Sequence, residues 1–393
     1  PQEPPLPRNS PAATRPRSLL ERLAVLVQGS SGKLRARFVD SGLLTFSAGT
    51  SNDAVVLWDA SGRRIRSWSA LEAPFPLVSQ GTRRLFALTY RTGLRALPLD
   101  GGPVRPALAL PSRSGGFVLA AAHASPDGAL LLALGGSDPL ELWSRSPRGS
   151  RRSVRLRWNG AELEALAFAP RGERLLVAGR GSGRRGLLSL YDAGGSLLAE
   201  HPFDAVCKAV AVSPQGDRFA VGTTSGGLYL GSLAAPSTPP SAVEVEARGR
   251  ELAFSCAAHV GTTRAVAFSP DGSLLYSAAC SERHDRRELG VWSTAERKLL
   301  REVELEFPPV SLDVSSDGSL LAVGEEEGRA ELRAASPEKP GEDPPARNSR
   351  PPHEPTTGAE REGSPSRSAR PGAAERRKAS SPRDRLRGEG PRR

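Results

Sequence analysis

The turn Ser269-Pro270-Asp271-Gly272 is one of a series. Counterparts stand at Ser125 to Gly128 ("SPDG"), Ala169 to Gly172 ("APRG"), Ser213 to Gly216 ("SPQG") and Ser315 to Gly318 ("SSDG"). Weaker copies end at Gly42 ("VDSG") and Gly81 ("VSQG"), which makes seven turns in all. Their glycines are spaced by roughly the 40–45 residues of a four-stranded unit, with one longer gap before Gly272.

The flanks repeat as well. Ahead of the turns, apolar residues sit two apart, as in Leu166 and Phe168, Val210 and Val212, Val266 and Phe268, and Leu312 and Val314. That alternation predicts a strand with one buried face. Behind each turn runs a second apolar segment, such as "RLLVAGR", "LLYSAA" and "LLAVGE". A third often ends in an aromatic, as at Val55 to Asp59, Leu140 to Trp143, Leu188 to Asp192 and Leu289 to Trp292. A fourth, less regular strand follows, for example Arg64 to Trp68 or Val154 to Trp158. The chain carries 41 Gly and 35 Pro against 38% apolar residues, a balance that suits many short strands joined by turns.

These units resemble the WD-repeat family of β-propellers. "LWD" at Leu57 to Asp59 matches the signature dipeptide, Trp58 and Asp59, and "AHVGTTRAVAFSPDG" resembles the family's Gly-His entry and first strand, with Ala258 in the glycine's place. The likeness spans roughly residues 20 to 335. It implies an all-β ring of four-stranded antiparallel blades, here seven. It also implies that His259 is a structural histidine, with Ser277 and Trp292 as its partners. The copies are degenerate: Trp-Asp stands only in the first blade and a well-placed His only in the sixth, so most blades are expected to rely on packing.

The last copy supplies three strands, and an orphan strand, "RLAVLV" at Arg22 to Val27, precedes the first copy. The register therefore predicts that residues 22–27 complete the seventh blade and pair its open edge. Residues 234–250 read as an insertion in the fifth blade, whose fourth strand is expected at Glu251 to Cys256. The propeller is expected over residues 19–335. Residues 1–18 and the basic, Pro/Arg/Ser-rich tail 336–393 hold too little apolar surface to offset their ordering entropy and are expected to be disordered.

The net charge of +11 and pI of about 10.3 admit nucleic acid, anionic lipid or an acidic protein as partner. Most of that charge is Arg in a chain also dominated by Ala, Gly and Pro, a bias expected of a GC-rich and bacterial genome. Cys207, Cys256 and Cys280 form no Cys-x-x-Cys pair and the five histidines are scattered, which argues against a disulfide framework or a zinc site. No run of 18 or more apolar residues appears. The cytoplasm is the favoured compartment and a monomer the expected state. Because the sequence starts at Pro1 and holds no Met, export, or membership of a longer sensor protein, stays open.

A propeller can hold an enzyme at its axial channel. At the inner-strand position equivalent to Ala267 stand Arg37, His123 and Asp313, with Pro76, Ala167 and Ala211 in other blades. Three unlike side chains on separate blades do not make a metal site. No Gly-x-Ser-x-Gly elbow opens a helix. "GRGSGRRG" at Gly179 to Gly186 leads into a strand, not the helix that a dinucleotide fingerprint needs. It reads instead as a loop carrying Arg180, Arg184 and Arg185. The matching loop of the sixth blade carries Arg283, Arg286 and Arg287. Both loops join second to third strands, so the expectation is a basic rim that attracts acidic protein segments. Arg145, Arg148, Arg151 and Arg152 make the opposite face basic too. The expected function is a non-enzymatic scaffold that binds proteins on its loop faces, without cofactor or metal. The alternatives are a hydrolase or lactonase using the channel, and polyanion binding by the Arg-rich tail, where "RRKAS" at Arg376 to Ser380 also resembles a kinase target.

Overall fold

The computed structural model describes residues 22–27, 34–39, 42–47, 55–59, 61–68, 75–79, 84–89, 93–99, 102–110, 117–136, 139–183, 185–242, 258–326 and 328–335. The segments 1–18 and 336–393, Gly81, and the expected strand Glu251 to Cys256 lie outside them.

The described strands form seven four-stranded antiparallel sheets, the blades of a propeller. Strand β1 (Arg22–Val27) comes first in the chain but pairs with the last strand. Blade 1 is β2 (Leu34–Val39), β3 (Gly42–Ser47), β4 (Val55–Trp58) and β5 (Arg64–Trp68). Blade 2 is β6 (Phe75–Val78), β7 (Leu85–Thr89), β8 (Gly93–Ala96) and β9 (Arg105–Leu108). Blade 3 is β10 (Phe117–Ala124), β11 (Leu130–Gly136), β12 (Glu141–Arg145) and β13 (Arg151–Arg155). Blade 4 is β14 (Glu162–Phe168), β15 (Arg174–Arg180), β16 (Gly186–Asp192) and β17 (Leu197–Phe203). Blade 5 is β18 (Cys207–Val212), β19 (Arg218–Thr223), β20 (Leu228–Ser232) and β21 (Ser241–Ala242). Blade 6 is β22 (Thr262–Phe268), β23 (Leu274–Ser281), β24 (Arg286–Ser293) and β25 (Leu299–Glu304). Blade 7 is β26 (Pro309–Val314), β27 (Leu320–Glu325) and β28 (Arg329–Ala334), with β1 against β28.

The repeated turn explains itself locally. Gly128, Gly172, Gly216, Gly272 and Gly318 take φ between 71° and 90°, a region that L side chains avoid. Each donates its N–H to the carbonyl three residues back, as Gly272 does to Ser269 at 2.9 Å. In the Asp271 copy the carboxylate accepts Ser269 Oγ at 2.5 Å and Ser273 N at 3.1 Å, and these bonds hold its pKa below the usual range. Gly42 departs from the series. It opens β3 opposite Val39 with φ 157°, and a Cβ there would lie 2.1 Å from Trp58 O. Close approach of β4, not turn geometry, requires that glycine.

The core is divided among the seven seams between blades. Leu188, Leu190, Phe203, Phe219 and Val221 fill the seam of blades 4 and 5; Leu289, Val291, Leu312 and Val323 that of blades 6 and 7. Leu34, Phe38, Leu43 and Leu332 join blade 1 to blade 7, and Leu44, Leu57 and Leu85 join it to blade 2. Polar stitches reinforce the first of these two seams. Ser311 Oγ accepts Ala36 N at 2.9 Å, Asp313 Oδ2 accepts Phe38 N at 2.7 Å, and Arg37 Nη1 donates to Leu312 O at 2.8 Å. Tyr276 OH reaches Ala335 O at 2.5 Å, tying the end of blade 7 to blade 6.

In blade 5 the expected fourth strand lies outside the described residues, and a short strand is described ahead of it. The strand that pairs with β20 is Ser241–Ala242, inside the stretch read as an insertion, with Tyr229 opposite Ala242. His201 Nε2 and Pro236 O are 2.7 Å apart, which anchors the approach to that strand against blade 4. Chain beyond Ala242 up to residue 257 lies outside the described residues.

Blade 7 carries an unusual buried group. Both carboxyl oxygens of Glu325 lack a hydrogen-bond partner and the residue is fully buried. Burial, then the neighbouring Glu331, pushes its pKa up to about 8, against the pull of Arg333. An acid with a raised folded pKa stays protonated in the fold while the unfolded chain ionises, so it costs stability progressively from the ordinary carboxylate range up to about pH 8. Glu325→Gln is expected to raise Tm at pH 8 and to leave it unchanged at pH 4; thermal melts across that range check it. The β1 edge is testable by deletion. Removing residues 22–27 strips β28 of its partner and is expected to lower Tm by roughly 5 °C or more, and an unchanged melt would show that the pairing contributes nothing to closure.

Candidate functional site

His259, at the entry to β22, and Ser277, on β23, come together with Trp292 on β24. His259 Nε2 lies 2.7 Å from Ser277 Oγ, and Trp292 Nε1 donates to the same Oγ at 2.7 Å. The opposite ring nitrogen, Nδ1, lies 3.1 Å from Glu288 Oε2. Glu288 Oε2 also accepts the Val260 N–H at 3.1 Å, and its Oε1 accepts Arg286 Nη1 at 3.2 Å. Burial by itself would push the Glu288 pKa up, but the bonds from His259 and Val260, with the nearby positive charge, hold it below the usual value.

One proton arrangement gives every atom a partner. An indole N–H only donates, so Ser277 accepts from Trp292 and donates to His259 Nε2. The His259 proton then sits on Nδ1 and is donated to Glu288. Carboxylate, imidazole and hydroxyl thus stand in the order used by serine hydrolases. The surroundings remove the chemistry. Ser277 and Trp292 are fully buried, and His259 is 3% exposed. The hydroxyl that would attack is occupied by the indole and buried away from solvent. Gly290, opposite Ser277, is part of this fit, since a Cβ there would lie 2.8 Å from Trp292 Nε1. His259, Glu288 and Glu302 offer ligand atoms within 4.8 Å of one another. The Nδ1 lone pair that a cation would need carries the proton given to Glu288, so metal binding would break the relay.

Glu288 is the residue that sequence reasoning missed. Glu288 lies inside β24 as the last residue of "SERHDRRE", where it reads as one charge among many. Blade 1 has only a fragment of the network: Trp58 Nε1 donates to Thr45 Oγ1 at 2.7 Å. Asp59 caps the following hairpin, accepting Ser61 N and Arg63 N at 2.9 Å each.

The axial channel is a cavity of about 430 Å³, lined by Val210, Val266, Phe268 and Leu312, and rimmed by the turn prolines Pro170, Pro214 and Pro270. Arg37 and Asp313 line it and are tied into the blade 1 and blade 7 seam described above. His123 is not among its lining residues. It is turned into the seam of blades 3 and 4, 4% exposed, with its ring 6.2 Å from that of Phe168. Gly172 makes the room, since a Cβ there would lie 2.6 Å from the imidazole. Burial lowers the His123 pKa, with Glu173 pulling the other way.

The loops expected to form a basic rim are of mixed charge. Arg180 pairs with Glu162 at 3.2 Å, Arg286 with Glu288 at 3.2 Å, and Arg287 with Asp285. Arg185 and Arg283 are exposed, and Arg184 lies outside the described residues. Cys207 and Cys280 are free and buried, and burial pushes the Cys207 thiol up to about 12, which makes it unreactive.

The relay yields a pH test. A carboxylate with a lowered folded pKa stabilises above its unfolded value, and that contribution is lost as pH falls through the folded pKa. The Tm gap between the wild type and Glu288→Gln is therefore expected to be widest at neutral pH and to close in the acid range. Ser277→Ala leaves an indole N–H and an imidazole nitrogen buried without a partner, an expected loss of about 1–3 kcal/mol by denaturant unfolding.

The family described as WD domain, G-beta repeat matches residues 250–286, the segment that holds His259 and Ser277. No curated protein matches the chain. Among solved structures it is similar to the Myceliophteria thermophila Cps50 (Swd1) β-propeller domain, at 14% identity and a TM-score of 0.57, over 81% of this chain and 100% of that one. That likeness is one of fold. The chain is a seven-bladed β-propeller that carries a WD repeat over residues 250–286.

Proposed function

We propose that this protein is a non-enzymatic scaffold that holds protein partners on the loop faces of its ring. The observation that carries the reading is the sealed relay of blade 6. The described array that most resembles a catalytic one is a Ser–His–carboxylate set whose hydroxyl is fully buried and engaged by Trp292. Its geometry is what a blade brace requires. The channel supports the same reading, because its two charged lining groups, Arg37 and Asp313, are bonded to the backbone of neighbouring blades. A propeller that carries a WD repeat is typical of interaction scaffolds, and a rigid ring presents many short loops at low ordering cost.

The rim arginines Arg180, Arg184, Arg185, Arg283, Arg286 and Arg287 are the candidate contacts for acidic segments on the face of the loops between second and third strands. Arg185 and Arg283, free of carboxylate partners among the described residues, are the stronger candidates. Arg185→Glu with Arg283→Glu is expected to weaken capture of a partner on that face by about tenfold at low salt, with a smaller effect at high salt. Co-precipitation with the full chain, followed by titration of the captured partner, measures it. Capture that is equal for the wild type and the double variant would remove the rim from the interface. Hydrolysis of a lactone or ester panel that survives Ser277→Ala but is lost with Arg37→Ala and Asp313→Asn would replace the scaffold reading with the channel enzyme.

A further inference from the structure

The outer strands of blades 1, 2, 3 and 7 carry arginine and no acid, and that of blade 3 carries the most of it. Residues 144–157 hold six arginines and no acidic residue. Arg148, Arg151, Arg152 and Arg155 are exposed and have no carboxylate partner among the described residues. Arg145 and Arg157 are turned aside, to Gly128 O at 3.2 Å and Asn159 Oδ1 at 3.2 Å. The other outer strands manage their edges differently. β25 mixes Arg301 with Glu302 and Glu304, β9 carries Pro106, which has no N–H, and on β5 Arg66 lies over Trp68.

The backbone register shows which groups of β13 are free. Ser146 N donates to Ser150 O at 2.8 Å, and Leu156 N donates to Leu140 O at 2.8 Å. Hydrogen-bonded pairs alternate with non-bonded ones along an antiparallel ladder. With Leu142 opposite Val154 and Ser144 opposite Arg152, the even-numbered residues of β13 bond inward to β12. Arg151, Ser153 and Arg155 are then the non-bonded positions, and their N–H and C=O groups point away from β12. β13 ends its sheet, so no strand among the described residues takes them. The same three residues are exposed and send their side chains to one face, since their period is two. Glu141, across from Arg155 on that face, is held by Trp143 Nε1 at 2.8 Å.

We propose that β13 is a docking edge for an extended acidic segment of a partner protein, which adds as a fifth strand to blade 3. Its backbone pairs with Arg151, Ser153 and Arg155, and its alternate Asp or Glu side chains meet the guanidinium groups of Arg151 and Arg155. Like charge along an edge repels neutral and basic strands. An acidic strand is the one kind that this edge accepts, so the protection against aggregation is also the selectivity. A single-stranded nucleic acid fits less well. It has no use for a strand register, and Trp143, opposite Ser153, is partly buried with its indole N–H engaged. The inference deepens the scaffold reading by naming an edge and the chemistry of its partner.

The test uses the full chain and a short labelled peptide of alternating Glu and Thr, followed by fluorescence anisotropy and by residue-resolved hydrogen exchange. Binding is expected to slow exchange at the amides of Arg151, Ser153 and Arg155. Arg151→Glu with Arg155→Glu, both exposed, is expected to weaken it by about tenfold or more with Tm unchanged. The same peptide N-methylated on its edge-facing amides is expected to lose binding to a similar degree. The proposal is overturned if the N-methylated peptide binds as well as the parent, if the three amides exchange no more slowly, or if oligouridine competes for the same arginines with higher affinity. A cellular partner held equally by the wild type and the double variant would also overturn it while leaving the scaffold reading intact.

Discussion

A propeller stands or falls on whether its first and last blades stay together. Every other seam joins blades that the chain already connects. At the seam of blades 7 and 1 the partners are far apart in sequence, so contact must repay the entropy of closing the largest loop in the molecule. Three polar stitches add to the packing at that seam, as others do elsewhere, for example Ala124 N to Ser79 Oγ at 2.8 Å between blades 2 and 3. Ser311 and Asp313 accept the backbone N–H groups of Ala36 and Phe38, and Arg37 donates to Leu312 O, all across 275 residues. Leu34, Phe38, Leu43 and Leu332 pack the same seam, and the Ala36 to Ser311 bond is buried, which makes its lost partner expensive to either blade. Because these stitches join inner strands while β1 pairs with β28, they hold the ring at a different radius from that edge pairing.

The same logic explains why catalytic geometry and structural bracing look alike in blade 6. A buried donor or acceptor must be satisfied, and a histidine with two distinct nitrogens is an efficient link between a hydroxyl and a carboxylate. Glu288, His259, Ser277 and Trp292 therefore form a directed chain that crosses from the loop entering β22 through β23 to β24. What separates a brace from a nucleophile is access and the engagement of the hydroxyl, not the order of residues. Other blades solve the same problem with single bonds, such as Trp58 to Thr45, or Tyr191 OH to Arg157 O at 2.5 Å.

Legibility followed periodicity. The strands flanking the "SPDG" turns were readable because alternation, positive-φ glycines and spacing all point the same way. The His259, Ser277 and Trp292 set was readable through its family likeness. Glu288 was not, because an acid placed inside a strand carries no turn signal, and its role depends on the loop that folds over it. His123 and Asp313 occupy the same repeat position, yet one fills a seam and the other lines the channel. Gly172 of the next blade leaves room for the imidazole, while the Asp313 carboxylate is taken by Phe38 N. Ser241–Ala242 was hidden in a Pro- and Ala-rich stretch because a two-residue edge strand needs no apolar alternation. Gly42 matched the turn motif in letters while serving a different constraint, the approach of Trp58 O.

Closure of the ring answers only half of the edge problem. Inner strands face the channel and one another, but each blade still ends in an outer strand whose backbone groups look into water. Short strands, prolines and mixed charges blunt most of these edges at little cost, because such features suit any solvated surface. An edge with arginines alone costs more, since like charges crowd a short hairpin and destabilise it unless water or a partner spreads the field. On β13 the guanidinium groups of Arg151 and Arg155 belong to two of the three residues whose N–H and C=O groups point outward. A charge pattern meant only to repel strands would not need that coincidence. Side chains of one sign and a free strand register select jointly for an extended anionic chain, which places the molecule's specificity on the outside of the ring rather than at its axis.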